Sequence, residues 1–141
     1  MFNKLSVPID MSSPKAGLRS CPRARELQDA FGAEVHLMSV LPGYTMPLVA
    51  SYFPLSAVES MREKIIKDLA TLAERYFDEM PMISVRTGKR AKEILDLAEE
   101  WGPDLIVFGC SPKDVVGGEL TLGTCGLAVS ARARCSVLVV R

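Results

Sequence analysis

Apolar residues recur along the chain with two alternating periods, and the switches between them set out the elements. Leu5-Ser-Val-Pro-Ile9 alternates as a strand does and ends at Asp10-Met-Ser-Ser-Pro14, a turn rich in capping residues. Ser12 or Ser13 can cap a helix with Pro14 in its first turn, but Gly17 and Pro22 fall inside that helix. Pro22 has no N–H for the Leu18 carbonyl, which predicts a kink or a helix starting near Ser20. That helix runs to about Phe31, with Gly32 as its stop. Glu34–Val40 is a second strand, closed by Leu41-Pro-Gly43, and residues 42–55 read as a long lid or contact loop with three prolines. Ser56-Ala-Val-Glu59 reads as a capping box. It opens an amphipathic helix with Val58, Met61, Ile65, Leu69, Leu72 and Tyr76 on one face.

The second half repeats the alternation. Met82–Arg86 is a strand with its turn at Thr87-Gly88, and Lys89–Trp101 is a helix stopped by Gly102-Pro103. Ala91, Ile94, Leu95, Ala98 and Trp101 share that helix's apolar face. Leu105–Phe108 is apolar throughout, which predicts a strand buried on both faces. A glycine-rich loop follows, then a helix from about Gly123 to Ala133 and a last strand, Ser136–Val140. The order β-α-β-α-β-α-β-α-β predicts an α/β fold, a parallel sheet with helices on both faces joined by right-handed crossovers.

Composition narrows the class. At 141 residues, with no internal repeat or linker, the chain is expected to be one domain, 1–141. Seventeen basic residues balance seventeen acidic ones, so no overall field draws in nucleic acid or an anionic membrane. Cys21, Cys110, Cys125 and Cys135 form no C-x-x-C pair and have no histidine at zinc spacing, which fits reduced thiols. Met-Phe-Asn-Lys-Leu leads directly into a strand, without the pattern of a signal peptide, and no apolar run is long enough to span a membrane. A soluble cytoplasmic protein is expected.

In such sheets ligands bind beyond the carboxyl ends of the strands, where strand order reverses, and that point falls between strands 1 and 4. The loops there are Pro8-Ile9-Asp10 and Gly109–Gly123, the two most distinctive segments of the chain. Asp10 can accept ribose hydroxyls or hold a metal, or it can close an Asx-type turn. Gly109 suits a close backbone approach. Gly123-Thr124, at a helix start, offers free N–H groups and a hydroxyl to a phosphate. Pro112, inside the loop, offers no N–H. The run from Gly118 to Thr124 is no P-loop, because it lacks the lysine and no strand precedes it. His36, the sole histidine, lies in a strand without a serine or cysteine nucleophile beside it, and is assigned to packing or the strand surface. Met61, Tyr76 and Trp101 are assigned to the core, and Lys89-Arg-Ala-Lys92 and Glu99-Glu100 to solvated helix surface. Cys110 is the one thiol placed where a loop could acidify it, though structural filler is the plainer reading.

Val7-Pro-Ile-Asp10, Gly32-Ala-Glu-Val35 leading into His36–Val40, the Gly109 loop and the closing Cys135-Ser-Val-Leu-Val-Val-Arg141 together resemble the universal stress protein family over the full length. The resemblance implies a five-stranded parallel sheet of order 3-2-1-4-5, a homodimer built partly through the last strand (136–140), and a cytoplasmic stress-response role. The nucleotide-binding branch of that family uses G-x2-G-x9-G-[ST]. Gly109 matches the first glycine and Gly123-Thr124 the closing pair, while Pro112 stands at the second glycine, with ten residues rather than nine between it and Gly123. Carried over by position, Pro8, Ile9 and Asp10 flank adenine and ribose, and Val40 offers backbone to the base. Phe108 and Gly109 line the ribose and phosphate side, and Gly123, Thr124 and Cys125 hold phosphates. Lys113 would add a charge where N–H contacts are lost. The implied ligand is ATP or AMP, with or without magnesium, in a sensor or signalling module with no catalytic residue and at most slow hydrolysis. The rival reading is a domain that binds no nucleotide and works through dimerisation and protein contacts. The S-G-G-x-D-S and H-x-G-H strings of related adenine-nucleotide hydrolases do not occur. Asp10-Met-Ser-Ser-Pro14 is a weak flavodoxin-type phosphate loop, and Arg86-Thr-Gly88 offers no receiver aspartate.

Overall fold

Parallel strands, the central ones largely buried, organise the computed structural model, which describes residues 1–13, 15, 17–42, 55–109, 115–116, 119–120 and 123–141. Of residues 55, 115–116 and 119–120 it describes the backbone alone. The strands are β1 (Lys4–Pro8), β2 (Glu34–Pro42), β3 (Met82–Gly88), β4 (Leu105–Gly109), β5 (Val115–Val116), β6 (Glu119–Leu120) and β7 (Ser136–Val140). The helices are α1 (Ser20–Phe31), α2 (Leu55–Tyr76), α3 (Arg90–Trp101) and α4 (Gly123–Arg132). The main sheet is five-stranded and parallel, in the order β3-β2-β1-β4-β7. With β7 as its fifth strand, this is the expected 3-2-1-4-5 arrangement.

Alternation along the strands sorts the core into two layers. Leu5, Val7, Val35, Leu37, Val85, Leu105 and Val107 point to one face and pack with Leu69, Leu72 and Ala73 of α2 and Cys21 and Ala24 of α1. The other face holds a smaller cluster, Met38 and Ile106 from the sheet with Ile94 and Leu97 of α3 and Val129 of α4. Burial pushes the Cys21 thiol up to about 12, so it packs as a small apolar group.

Helix α1 takes the later of its two expected starts. Residues 11–13 and 17–19 form turns, and the helix begins at Ser20, which places Pro22 in the first turn where no N–H is needed. It closes on Gly32 in the left-handed region, whose N–H returns to the Gln28 carbonyl. Ser56 lies within α2 rather than ahead of it, one residue inside the expected capping box. Met61 is 44% exposed, against its core assignment, because the buried face of α2 consists of residues in its last two turns, Leu69, Leu72 and Ala73. Of the expected loop at 42–55, Pro42 ends β2 and Leu55 begins α2, and residues 43–54 lie outside the described residues.

The sequence reading missed a small hairpin. β5 and β6 pair antiparallel, Val116 opposite Glu119, where a plain loop was expected. Gly117-Gly118 between Val115-Val116 and Glu119-Leu120 is a two-glycine hairpin signal in the sequence. A short strand therefore does precede Gly118, although the lysine of a P-loop is still lacking.

Candidate functional site

The ladder between β1 and β4 stops early, and this opens the site. Their register runs through Leu5↔Leu105 and Ser6↔Ile106 only, whereas β1 and β2 stay paired through Pro8↔Met38. The Ile9 N–H donates to the Met38 carbonyl at 2.8 Å, on the β2 side. Period-two alternation then turns the nitrogen of Pro8 toward β4, where a proline has nothing to donate. The two central strands part at the position the topology marks as the switch point.

A cavity of about 170 Å³ occupies that opening. Nine of the ten residues predicted for a site line it, namely Pro8, Ile9, Asp10, Val40, Phe108, Gly109, Gly123, Thr124 and Cys125. The tenth, Pro112, lies outside the described residues, as do Cys110 and Lys113. Met38, Ser39, Arg90, Ile94 and Gly126 complete the lining and were not anticipated. Ile9 is 4% exposed and belongs to the core layer beneath α1 and α2, so its side chain is committed to packing.

Asp10 closes the Asx-type turn that was one of its two expected roles. Its Oδ1 accepts the Ser12 N–H at 3.0 Å and the Ser12 hydroxyl at 2.6 Å, the hydrogen bonds of an Asx turn. The same oxygen lies 3.2 Å from Nη2 of Arg90, the first residue of α3. A basic group there opposes the helix macrodipole, which is the local anomaly that could have drawn attention to it. Arg90 is therefore no idle member of a solvated basic run. Its position follows from topology, since β3 delivers the start of α3 to the carboxyl edge that also bears Asp10.

On the β4 side the backbone supplies the chemistry. Gly123 opens α4 with φ +71°, a conformation costly to other residues, and a helix N-terminus of this kind is suited to an anion. Gly109 differs. A Cβ built on it would meet Arg19 Cβ and the Ser20 nitrogen at 3.4 Å, ordinary contact, so packing among the described residues does not demand glycine there. As for magnesium, Asp10 is the one carboxylate among the described lining residues, and a guanidinium already stands beside it. Those residues do not make a divalent-cation site.

Two residues outside the cavity have partners that the sequence did not reveal. His36 does have a serine partner, with Nε2 and Ser84 Oγ 2.7 Å apart. The pair is no catalytic dyad, because His36 is 3% exposed, its Nδ1 has no orienting partner, and neither residue lines the cavity. Packing is its role: its ring meets Trp101 edge to face at 5.0 Å. Glu100 is likewise more than solvated surface, since both its oxygens accept from the Arg86 guanidinium, at 2.8 and 3.0 Å.

Comparison with known proteins places the chain. The model of the universal stress protein family matches residues 1–141. The chain belongs to the universal stress protein family. A universal stress protein of Methanocaldococcus jannaschii is 27% identical over all of this chain and 83% of its own length. Among solved structures, a universal stress protein in complex with cAMP aligns with TM-score 0.64 at 22% identity, covering 99% of this chain and 97% of that one. The universal stress protein of Archaeoglobus fulgidus in complex with dAMP aligns with TM-score 0.66 at 15% identity, covering 99% and 98%. At these identities the structural likeness speaks to the fold of this universal stress protein. No helix among its described residues is long and apolar enough to cross a membrane.

Proposed function

We propose that this universal stress protein binds an adenine nucleotide, ATP or AMP, in the cleft between β1 and β4 and acts through that occupancy as a sensor or signalling module. One observation carries the reading. The residues that follow β1, the end of β4 and the start of α4 meet on a single cavity that joins a carboxylate suited to ribose with a glycine-opened helix N-terminus suited to phosphate. The complexes of its structural neighbours with cAMP and dAMP support the same ligand class. The enclosed volume suits the nucleoside part, with phosphates directed toward Gly123, Thr124 and Cys125 and any magnesium carried in by the phosphates themselves. Efficient hydrolysis is not proposed, because Asp10 is held by Ser12 and Arg90 and no other lining residue described is a general base.

A homodimer in the cytoplasm, formed partly through residues 136–140, completes the proposal. β7 is an edge strand whose residues keep partial exposure, and Leu127 of α4 is 59% exposed nearby in sequence. The rival reading, action through dimerisation without nucleotide, separates cleanly by calorimetry. Heat with AMP or ATP at a stoichiometry near one per chain is expected. Absence of heat with either, at high protein concentration, would leave only the rival.

A further inference from the structure

We infer that Arg90 is a specificity-determining residue that makes this cleft select phosphate-bearing nucleotides over uncharged nucleosides. The inference rests on the nucleotide reading above and adds the charge class of the ligand.

Three observations converge on it. First, Asp10 and Arg90 are the ionised side chains among the described lining residues, and they stand together as one pair. Second, Arg90 pairs across the cavity at 3.2 Å rather than along its own helix. Glu93, three residues on and within helical reach, is instead engaged by Arg86 at 3.1 Å. Third, a cation at the start of α3 works against the helix dipole, so its place is not explained by helix stability.

The consequence is electrostatic. Asp10 alone would make the ribose side of the cleft an anion that repels phosphates bound a few ångströms away. The Arg90 guanidinium beside it offsets that repulsion and faces incoming phosphate with a positive charge, while the carboxylate is still held for hydroxyl donors by Ser12. An uncharged nucleoside gains nothing from this cancellation and a phosphorylated one gains with each charge. Arg90 is also partly open to solvent, with 43% of its side chain exposed, so replacing it leaves the core intact.

The test is a titration of adenosine and of AMP into the wild-type protein, Arg90→Gln and Arg90→Lys, at low and high sodium chloride. At low salt, Arg90→Gln should weaken AMP by roughly tenfold and leave adenosine within about twofold. Arg90→Lys, which keeps the charge, should retain most of the preference. The gap between wild type and Arg90→Gln should close at about 0.5 M salt, where the screening length falls to a few ångströms. Equal losses for the two ligands would make Arg90 a packing residue and overturn the inference, as would unchanged AMP binding. Tighter AMP binding in Arg90→Gln would mean that the pair plugs the site, which also overturns it. A wild-type protein that binds neither ligand would instead sink the nucleotide reading itself. Failure of the inference and failure of the reading therefore appear in different arms.

Discussion

The two faces of the sheet are built differently. The face under α1 and α2 is closed and apolar, with Leu5, Val7, Leu37, Leu69 and Val107 at or near zero exposure. The face under α3 and α4 has a smaller apolar cluster, a polar row of buried Ser6 and His36 with half-buried Ser84, and a carboxyl end where the cavity lies. Ser6 and His36 are register partners across β1 and β2, and Ser84 reaches His36 from β3. One face supplies stability, and the other gives part of it up to hold polar chemistry.

The largest effect expected from this contrast is a difference between two truncations. Leu37→Ala should cost about 3–4 kcal/mol in chemical denaturation, because the sealed layer around it leaves a cavity that cannot collapse. Ile94→Ala, on the other face and at the cavity wall, should cost about 2 kcal/mol, since the space it vacates joins an opening that water already reaches. It should also weaken nucleotide binding, which Leu37→Ala should not. Equal costs would erase the distinction between the faces.

A smaller effect concerns acid. Burial, with the Arg86 charge second, lowers the His36 pKa below its ordinary value. The groups around the ring are Ser6 of β1, Ser84 and Arg86 of β3, and Trp101 of α3 with Lys4 over its indole, so among the described residues no carboxylate is in contact to favour the imidazolium. The unfolded chain then takes up the proton before the folded one. Stability is full above the ordinary histidine value of about 6.5 and falls as pH drops through it, until His36 protonates in the folded protein too. Denaturation followed by Trp101 fluorescence between pH 7.5 and 5 should show this loss, and His36→Phe should flatten it. A midpoint that is level across this range in the wild type would remove His36 from the account of the polar face.

How much of this was legible depends on which physical rule spoke locally. Sheet order and helix ends were readable because strict alternation and glycine stops act over short stretches, as at Gly32 and Gly102. Asp10, Gly109 and Gly123 were readable because a backbone or carboxylate at a strand end carries its own signal. Arg90 was not, because its meaning depends on a residue eighty positions earlier that only the sheet brings to it. His36 was read correctly as packing but without Ser84, a pairing that needs the β2–β3 register. Met61 went astray because helical periodicity shows which side of α2 is apolar, not how far along the helix the sheet extends.

The two smallest predictions separate glycine needed by the fold from glycine kept for a ligand. Gly123→Ala forces a side chain into φ +71° and should cost about 1 kcal/mol of stability as well as phosphate affinity. Gly109→Ala meets only ordinary contacts, so its stability should stay within about 0.5 kcal/mol of wild type. If the cleft holds a nucleotide, the added methyl stands where the ligand approaches the backbone, and AMP affinity should still fall by about tenfold or more. Thermal denaturation without ligand, alongside calorimetry with AMP, reads both quantities on the same sample. A Gly109→Ala protein that is stable and binds as wild type would show that the opening beside Pro8 takes its ligand away from β4. The division between a sealed face and a working one would then have to be redrawn around Asp10 and Arg90 alone.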